Sequence, residues 1–148
     1  VCDTFCCNAK WVKDKQQLWD FLLPYWDSYS EFEVRFAVVM AMVNLLDDVW
    51  FPKICFKLDS LKIDSIQSGY MSVRKARGMT VPDGKGVAIG EEPYYVRMAI
   101  DWLLATALYK IPDLTRAYVN SSKLPADVLK LYVRKSKESF RTKNVRPF

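Results

Sequence analysis

The chain offers an unusual stock of chemically able side chains. It has no histidine, which removes the commonest proton shuttle and the commonest metal ligand. Its cysteines are Cys2, Cys6, Cys7 and Cys55, with no Cys-x-x-Cys pair among them. That spacing, without histidine, argues against a zinc site. It predicts free thiols, some buried as small hydrophobes, in a reducing cytoplasmic setting. Cations are the more suggestive group. Residues 123–148 hold eight Lys or Arg against Asp127 and Glu138, so this stretch carries +6 while residues 1–122 sum to −1. A basic end on a near-neutral body is an electrostatic footprint for a polyanion, and equally the pattern of a solvated terminus. Within it, Lys135, Lys137, Arg141 and Lys143 are the candidate contacts to such a polyanion.

The elements that must position these groups read as helices. Just over half of the 148 residues are hydrophobic, and the five glycines fall in one stretch rather than at regular turns. A many-stranded fold would need the latter. No apolar run approaches the ~18 residues of a membrane span; the longest is 36–43. Val1 to Cys7 reads as the end of a helix, and a chain that starts inside a helix suggests that N-terminal residues are missing. Asp14 is the expected cap of a second helix, which Pro24 should kink or shorten. Ser30 with Glu33 has capping-box spacing and opens a helix over 31–46. That helix is apolar on nearly every side, so it must be sandwiched between neighbours. A short helix over 49–61 follows. Residues 62–90 lose the period and hold all the glycines, with a turn at Pro82-Asp83-Gly84; this reads as a long inserted loop. Helices resume at 92–110 with Pro93 in the first turn, then from Pro112 to about Val119, then over 125–139.

Two helices share a phrase. Glu33-Val34-Arg35-Phe36-Ala37-Val38 matches Tyr95-Val96-Arg97-Met98-Ala99-Ile100, each followed by a long apolar run. Val-Arg-x-Ala at the start of a buried helix resembles the inner helix of HEAT-type repeats, which stack because one helix pair cannot bury its own apolar face. The 62-residue offset exceeds the ~40–47 of such a unit, and the inserted loop accounts for the excess. The expected fold is therefore a single all-α domain over 1–148, an α-α superhelix of HEAT-like repeats with a Gly-rich insertion.

The stretch Tyr94-Tyr95-Val96-Arg97-Met98-Ala99-Ile100-Asp101-Trp102-Leu103-Leu104 resembles the AlkD-like DNA alkylation repair proteins, which are HEAT-like DNA glycosylases. Val1-Cys2-Asp3-Thr4-Phe5-Cys6, the Arg35 helix and Lys135-Ser136-Lys137-Glu138-Ser139 extend the likeness. The resemblance implies that Asp3 is the catalytic carboxylate, that Arg35 is the active-site arginine, and that Trp102 forms an aromatic wall of the lesion site. The family's tryptophan four residues before that Asp would precede Val1, and the insertion at 62–90 departs from the family pattern. The implied partner is double-stranded DNA with alkylated bases, and the implied reaction needs no cofactor or metal. An alkylated N3 or N7 purine is already cationic and leaves readily. The enzyme must then stabilise a cationic sugar, which a carboxylate does, while an arginine holds phosphate and aromatic faces attract the charged base. The other reading is a non-catalytic HEAT-like scaffold that binds nucleic acid or protein. There Arg35 is an ordinary repeat arginine, Trp102 a core residue and Asp3 a surface carboxylate or a partner for a neighbouring repeat. Trp11, Trp19, Trp26 and Trp50 are expected to be packing residues.

Overall fold

A computed structural model describes residues 2–9, 12–68 and 93–148. The described residues form helices without a strand: α1 Cys2–Asn8, α2 Lys15–Trp26, α3 Glu31–Asn44, α4 Phe51–Ser60, a 3-10 turn Ile63–Ser65, α5 Tyr94–Lys110, α6 Pro112–Ser121 and α7 Ala126–Glu138. The fold is all-α, and no described helix is long and apolar enough to cross a membrane.

The order of packing follows from which faces are apolar. Val34, Ala37, Val38, Val39, Met40, Ala41 and Met42 of α3 are all buried, as are Val96, Ala99, Ile100, Leu103, Leu104, Ala107 and Leu108 of α5. Helices buried almost all round must sit inside a row. Accordingly α3 packs on α1, α2 and α5, and α5 packs on α3, α6 and α7. The two helices that share the repeated phrase run in the same direction. Glu31 meets the backbone of Tyr95 at one end, and Met42 meets Thr106 at the other. Helix α7 runs the same way beside α5, with Asp127 on Arg97 near its start. Helices α2, α4 and α6 form a second row. Trp19 of α2 meets Trp50 at the start of α4, and Phe51 and Asp59 of α4 meet Tyr118 of α6. Trp19, Trp26 and Trp50 are buried packing residues, as expected; Trp11 lies outside the described residues.

Two local expectations change and one holds. Pro24 stays inside α2 without ending it. Its missing N–H frees the carbonyl of Asp20, and both residues lie on the exposed side, where water can satisfy that oxygen. Asp14 caps α2 through Gln17 N–H at 2.9 Å, as its position demands. Ser30 holds the cap position of α3 but makes no side-chain cap bond. The capping-box geometry fails because Ser28 takes Glu33 first, its hydroxyl donating to the carboxylate at 2.5 Å.

The first residues of the predicted insertion are anchored. Gln67 N–H donates to the Tyr29 carbonyl at 2.7 Å, and Glu31 N–H donates to the Gln67 carbonyl at 3.3 Å. The fully buried Glu31 carboxylate accepts from Ser68 Oγ and from Tyr95 N–H, tying the starts of α3 and α5 together. The remainder of the insertion and the turn at Asp83-Gly84 lie outside the described residues.

Candidate functional site

The sequence-derived residues gather at two places along one face of α5. At its start, Arg35 projects from α3 against Asp3 of α1. Arg35 Nε donates to Asp3 Oδ1 at 3.0 Å and Nη2 to Asp3 Oδ2 at 2.6 Å. Nη1 donates to the Tyr95 carbonyl at 2.7 Å, and the guanidinium lies 5.7 Å from the centre of the Tyr95 ring. From α3 the planar fork spends its donors on two further helices, α1 and α5, which a lysine cannot do. The Arg35 side chain is only 9% exposed, whereas that of Asp3 is 42% exposed. The carboxylate is therefore held from one side and open to solvent on the other. That is the arrangement a group needs to present fixed negative charge to something outside the protein.

Along α5 the exposed surface narrows to a stripe. Tyr95, Met98, Trp102 and Thr106 are half-buried and Tyr109 is exposed, while the residues between 96 and 108 off this line are buried. Tyr95, Trp102 and Tyr109 are seven residues apart, so each repeats the same face at intervals of about 10.5 Å. The stripe thus carries three aromatic rings over roughly 21 Å. The Asp3–Arg35 pair abuts its first ring.

The far end is a cavity of about 250 Å³ lined by Trp102, Tyr109, Lys135, Ser139, Phe140 and Arg141, among others. Arg141 lies 5.3 Å from the Tyr109 ring centre and 5.5 Å from that of Phe140. Lys135 comes from the last turn of α7 and lies 3.9 Å from Glu138. The cavity so joins Trp102, Lys135 and Arg141. Lys137 and Lys143 are exposed but do not line it.

Arg97, the repeat partner of Arg35, is also clasped. It donates to Asp127 at 2.7 Å and to Asp64 at 2.6 Å. Asp3 precedes Arg35 by 32 residues and Asp64 precedes Arg97 by 33. The repeat therefore extends to the acids, Asp3-Thr4-Phe5 corresponding to Asp64-Ser65-Ile66, a signal present in the sequence but weak over three residues. Arg97 meets two acids, and Arg35 meets one acid and the face of the Tyr95 ring.

Asp101 was not singled out by sequence reasoning. It is 3% exposed, on the buried side of α5 beside Trp102, and its Oδ1 has no hydrogen-bond partner. Burial pushes its carboxyl up to about 6, against the opposing pull of Lys135, the Trp102 backbone N–H and Arg134. No signal short of the α5–α7 contact could have marked it, because an aspartate in an apolar helix reads as an exposed break in the pattern.

The thiols are free. Cys2 and Cys6 stand 3.9 Å apart, and burial pushes the Cys6 thiol up to about 12. Among the described residues no cluster of three or more His, Cys, Asp or Glu side chains is placed to hold a metal ion. No family model, curated protein or solved structure matches the chain.

Proposed function

We propose that the chain is the catalytic part of a HEAT-like solenoid that releases cationic alkylated purines from DNA. The observation that carries this reading is the half-exposed Asp3 carboxylate, gripped through both oxygens by the buried Arg35 at one end of an aromatic stripe. A cationic base needs little proton donation to leave, so the absence of histidine is compatible with the reaction. Asp3 stabilises the cationic sugar and orients the attacking water. Arg35 fixes Asp3, and its buried positive charge lies beside the place where phosphate would pass. Trp102, midway between the Arg35-bearing Tyr95 and the Arg141-bearing Tyr109, offers a face to a cationic base by cation–π attraction. Lys135 and Arg141 sit at the other end, where the strand's phosphates would run, and Lys137 and Lys143 add non-specific attraction. The parallel row α3, α5 and α7 against a second row is the arrangement that stacked HEAT-like pairs produce, which supports the superhelix reading.

The test is base release from alkylated duplex DNA by the protein carrying this chain, alongside Asp3→Asn. Release by the wild type and at least a hundredfold slower release by the variant is the expected result. Equal release by both, or none by the wild type, sinks the catalytic reading.

One observation favours a second reading. Arg35 and Arg97 make comparable acid clasps, and a scaffold needs both only as staples between helices. The chain would then bind nucleic acid or protein without chemistry. Salt-dependent binding to undamaged duplex without base release distinguishes it.

A further inference from the structure

Two groups around the far cavity are unspent. Arg141 lies over the Tyr109 and Phe140 rings, at 5.3 and 5.5 Å, and makes no ion pair among the described residues. Trp102 is the other, since its indole meets no second ring and no cation among the described residues. Both line the same cavity of about 250 Å³. An arginine held on rings, with no acid to bond, keeps its N–H fork for an outside acceptor, and that fork fits a phosphate. A bare indole face in the same cavity fits a flat ring.

The turn that carries Arg141 is pinned. Arg141 N–H donates to Ser139 Oγ at 3.3 Å, and Thr142 N–H to the Ser139 carbonyl at 3.1 Å. The buried Thr142 hydroxyl donates to the Ser136 carbonyl at 2.7 Å, which ties the turn to the end of α7. Lys135 supplies a second cation to the cavity. Its ammonium is 3.9 Å from Glu138, an ion pair too long to be a hydrogen bond.

We infer that this cavity binds one unpaired nucleotide, with its phosphate on the Arg141 fork beside Lys135 and its base on the Trp102 face. A base inside a duplex has both faces covered by its neighbours, so it cannot lie on Trp102. The cavity, at about 250 Å³, falls just under the ~300 Å³ at which ordinary ligand pockets begin, which suits one planar ring and not a base pair. Stacking tolerates any base, so no sequence preference is expected. The nucleic-acid ligand rests on the reading above, but neither Asp3 nor base release is needed for it.

The probes are a short labelled DNA strand that cannot fold on itself, its duplex with the complement, and thymidine 5′-monophosphate. At 0.1 M salt the single strand should bind at least about fivefold more tightly than the duplex. Trp102→Leu keeps an apolar side chain but removes the ring face. It should weaken single-strand binding about five- to a hundredfold, and duplex binding much less. Arg141→Gln should weaken both and lower the single-strand salt slope by about 0.7. In the wild type, the Trp102 indole N–H signal in NMR should shift as the strand is added. The same shift with thymidine monophosphate assigns the site to a free nucleotide; a shift with the strand alone assigns it to a strand. Duplex bound as tightly as the single strand, or an indole signal that stays put at saturation, overturns the inference whatever the variants do. Single-strand preference without base release leaves it standing and sinks the glycosylase reading. Base release without that preference sinks this inference alone.

Discussion

Arg35 holds Asp3 by both carboxylate oxygens, at 3.0 and 2.6 Å, and with its remaining fork reaches the Tyr95 carbonyl at 2.7 Å. One side chain on α3 thereby fixes the position of an acid on α1 relative to an aromatic residue on α5. Nearly the same spacing recurs at Asp64 and Arg97, where the second fork goes to Asp127. Both clasps hold partly or largely exposed carboxylates on a buried guanidinium, and the first lies beside the Tyr95 ring.

Asp3→Asn separates chemistry from stability. Asparagine keeps the volume and can still accept a bond from Arg35. With its side chain 42% exposed, Asp3 loses only a screened interaction, so unfolding free energy should fall by under ~1 kcal/mol. Base release should fall by ~10²–10³. Arg35→Lys should cost more stability, ~2 kcal/mol, because an ammonium cannot span both Asp3 oxygens and the Tyr95 carbonyl. Urea unfolding and single-turnover release measure the two quantities; a variant Asp3→Asn that is unfolded at 25 °C would remove the distinction and the assignment with it.

Arg97 should behave in the opposite way. It is 3% exposed and ties the 3-10 turn and α7 to α5, so Arg97→Ala should destabilise by ~2 kcal/mol through the packing and hydrogen bonds lost with its buried side chain. Asp64→Asn should cost under ~0.5 kcal/mol, since that carboxylate is 86% exposed. Base release per folded molecule should be unchanged in both. Loss of release in folded Arg97→Ala, with Arg35→Lys active, would reverse the roles given to the two arginines.

Arg141→Gln and Trp102→Ala probe the far end of the stripe. Arg141 is exposed and touches only rings, so its loss should leave stability within ~0.5 kcal/mol. Its loss should lower the salt slope of DNA binding by about one unit, equally for damaged and undamaged duplex. Trp102→Ala should instead weaken binding to alkylated DNA selectively, because a ring face discriminates a cationic base. Equal weakening for both duplexes would place Trp102 among the packing residues.

The helices were legible because their apolar faces are continuous and their breaks carry Pro, Asp or Ser. The buried character of the Arg35 and Arg97 helices followed from runs without a polar face. The sites of failure are local competitions. Glu33 had two serines within reach, and spacing alone could not say that Ser28 rather than Ser30 would bond it. Pro24 was expected to kink or shorten α2, but a proline two residues from the helix end, on the wet side, forfeits little. Of the site, the residues were legible and their geometry was not. Nothing in the sequence pairs Asp3 with Arg35 across 32 positions, or brings Arg141 over Tyr109. Those contacts exist only once α1, α3, α5 and α7 lie side by side.

The buried Asp101 makes the stability of the fold depend on pH in a direction opposite to that of an ordinary ion-paired aspartate. Its carboxyl is raised from 3.8 to about 6, so the folded state binds its proton more tightly than the unfolded chain does. The associated stability is complete below about pH 4 and declines as pH rises through 6, because ionisation then charges a group sealed from water. Replacing it with asparagine supplies a neutral group of the same shape at every pH. Asp101→Asn should match the wild type at pH 4.5 within ~0.5 kcal/mol and exceed it by about 2 kcal/mol at pH 7.5. Urea midpoints at the two pH values measure this. A variant less stable than the wild type at pH 7.5 would mean that the ionised carboxylate is well bonded after all, and would remove the pH dependence assigned to its burial.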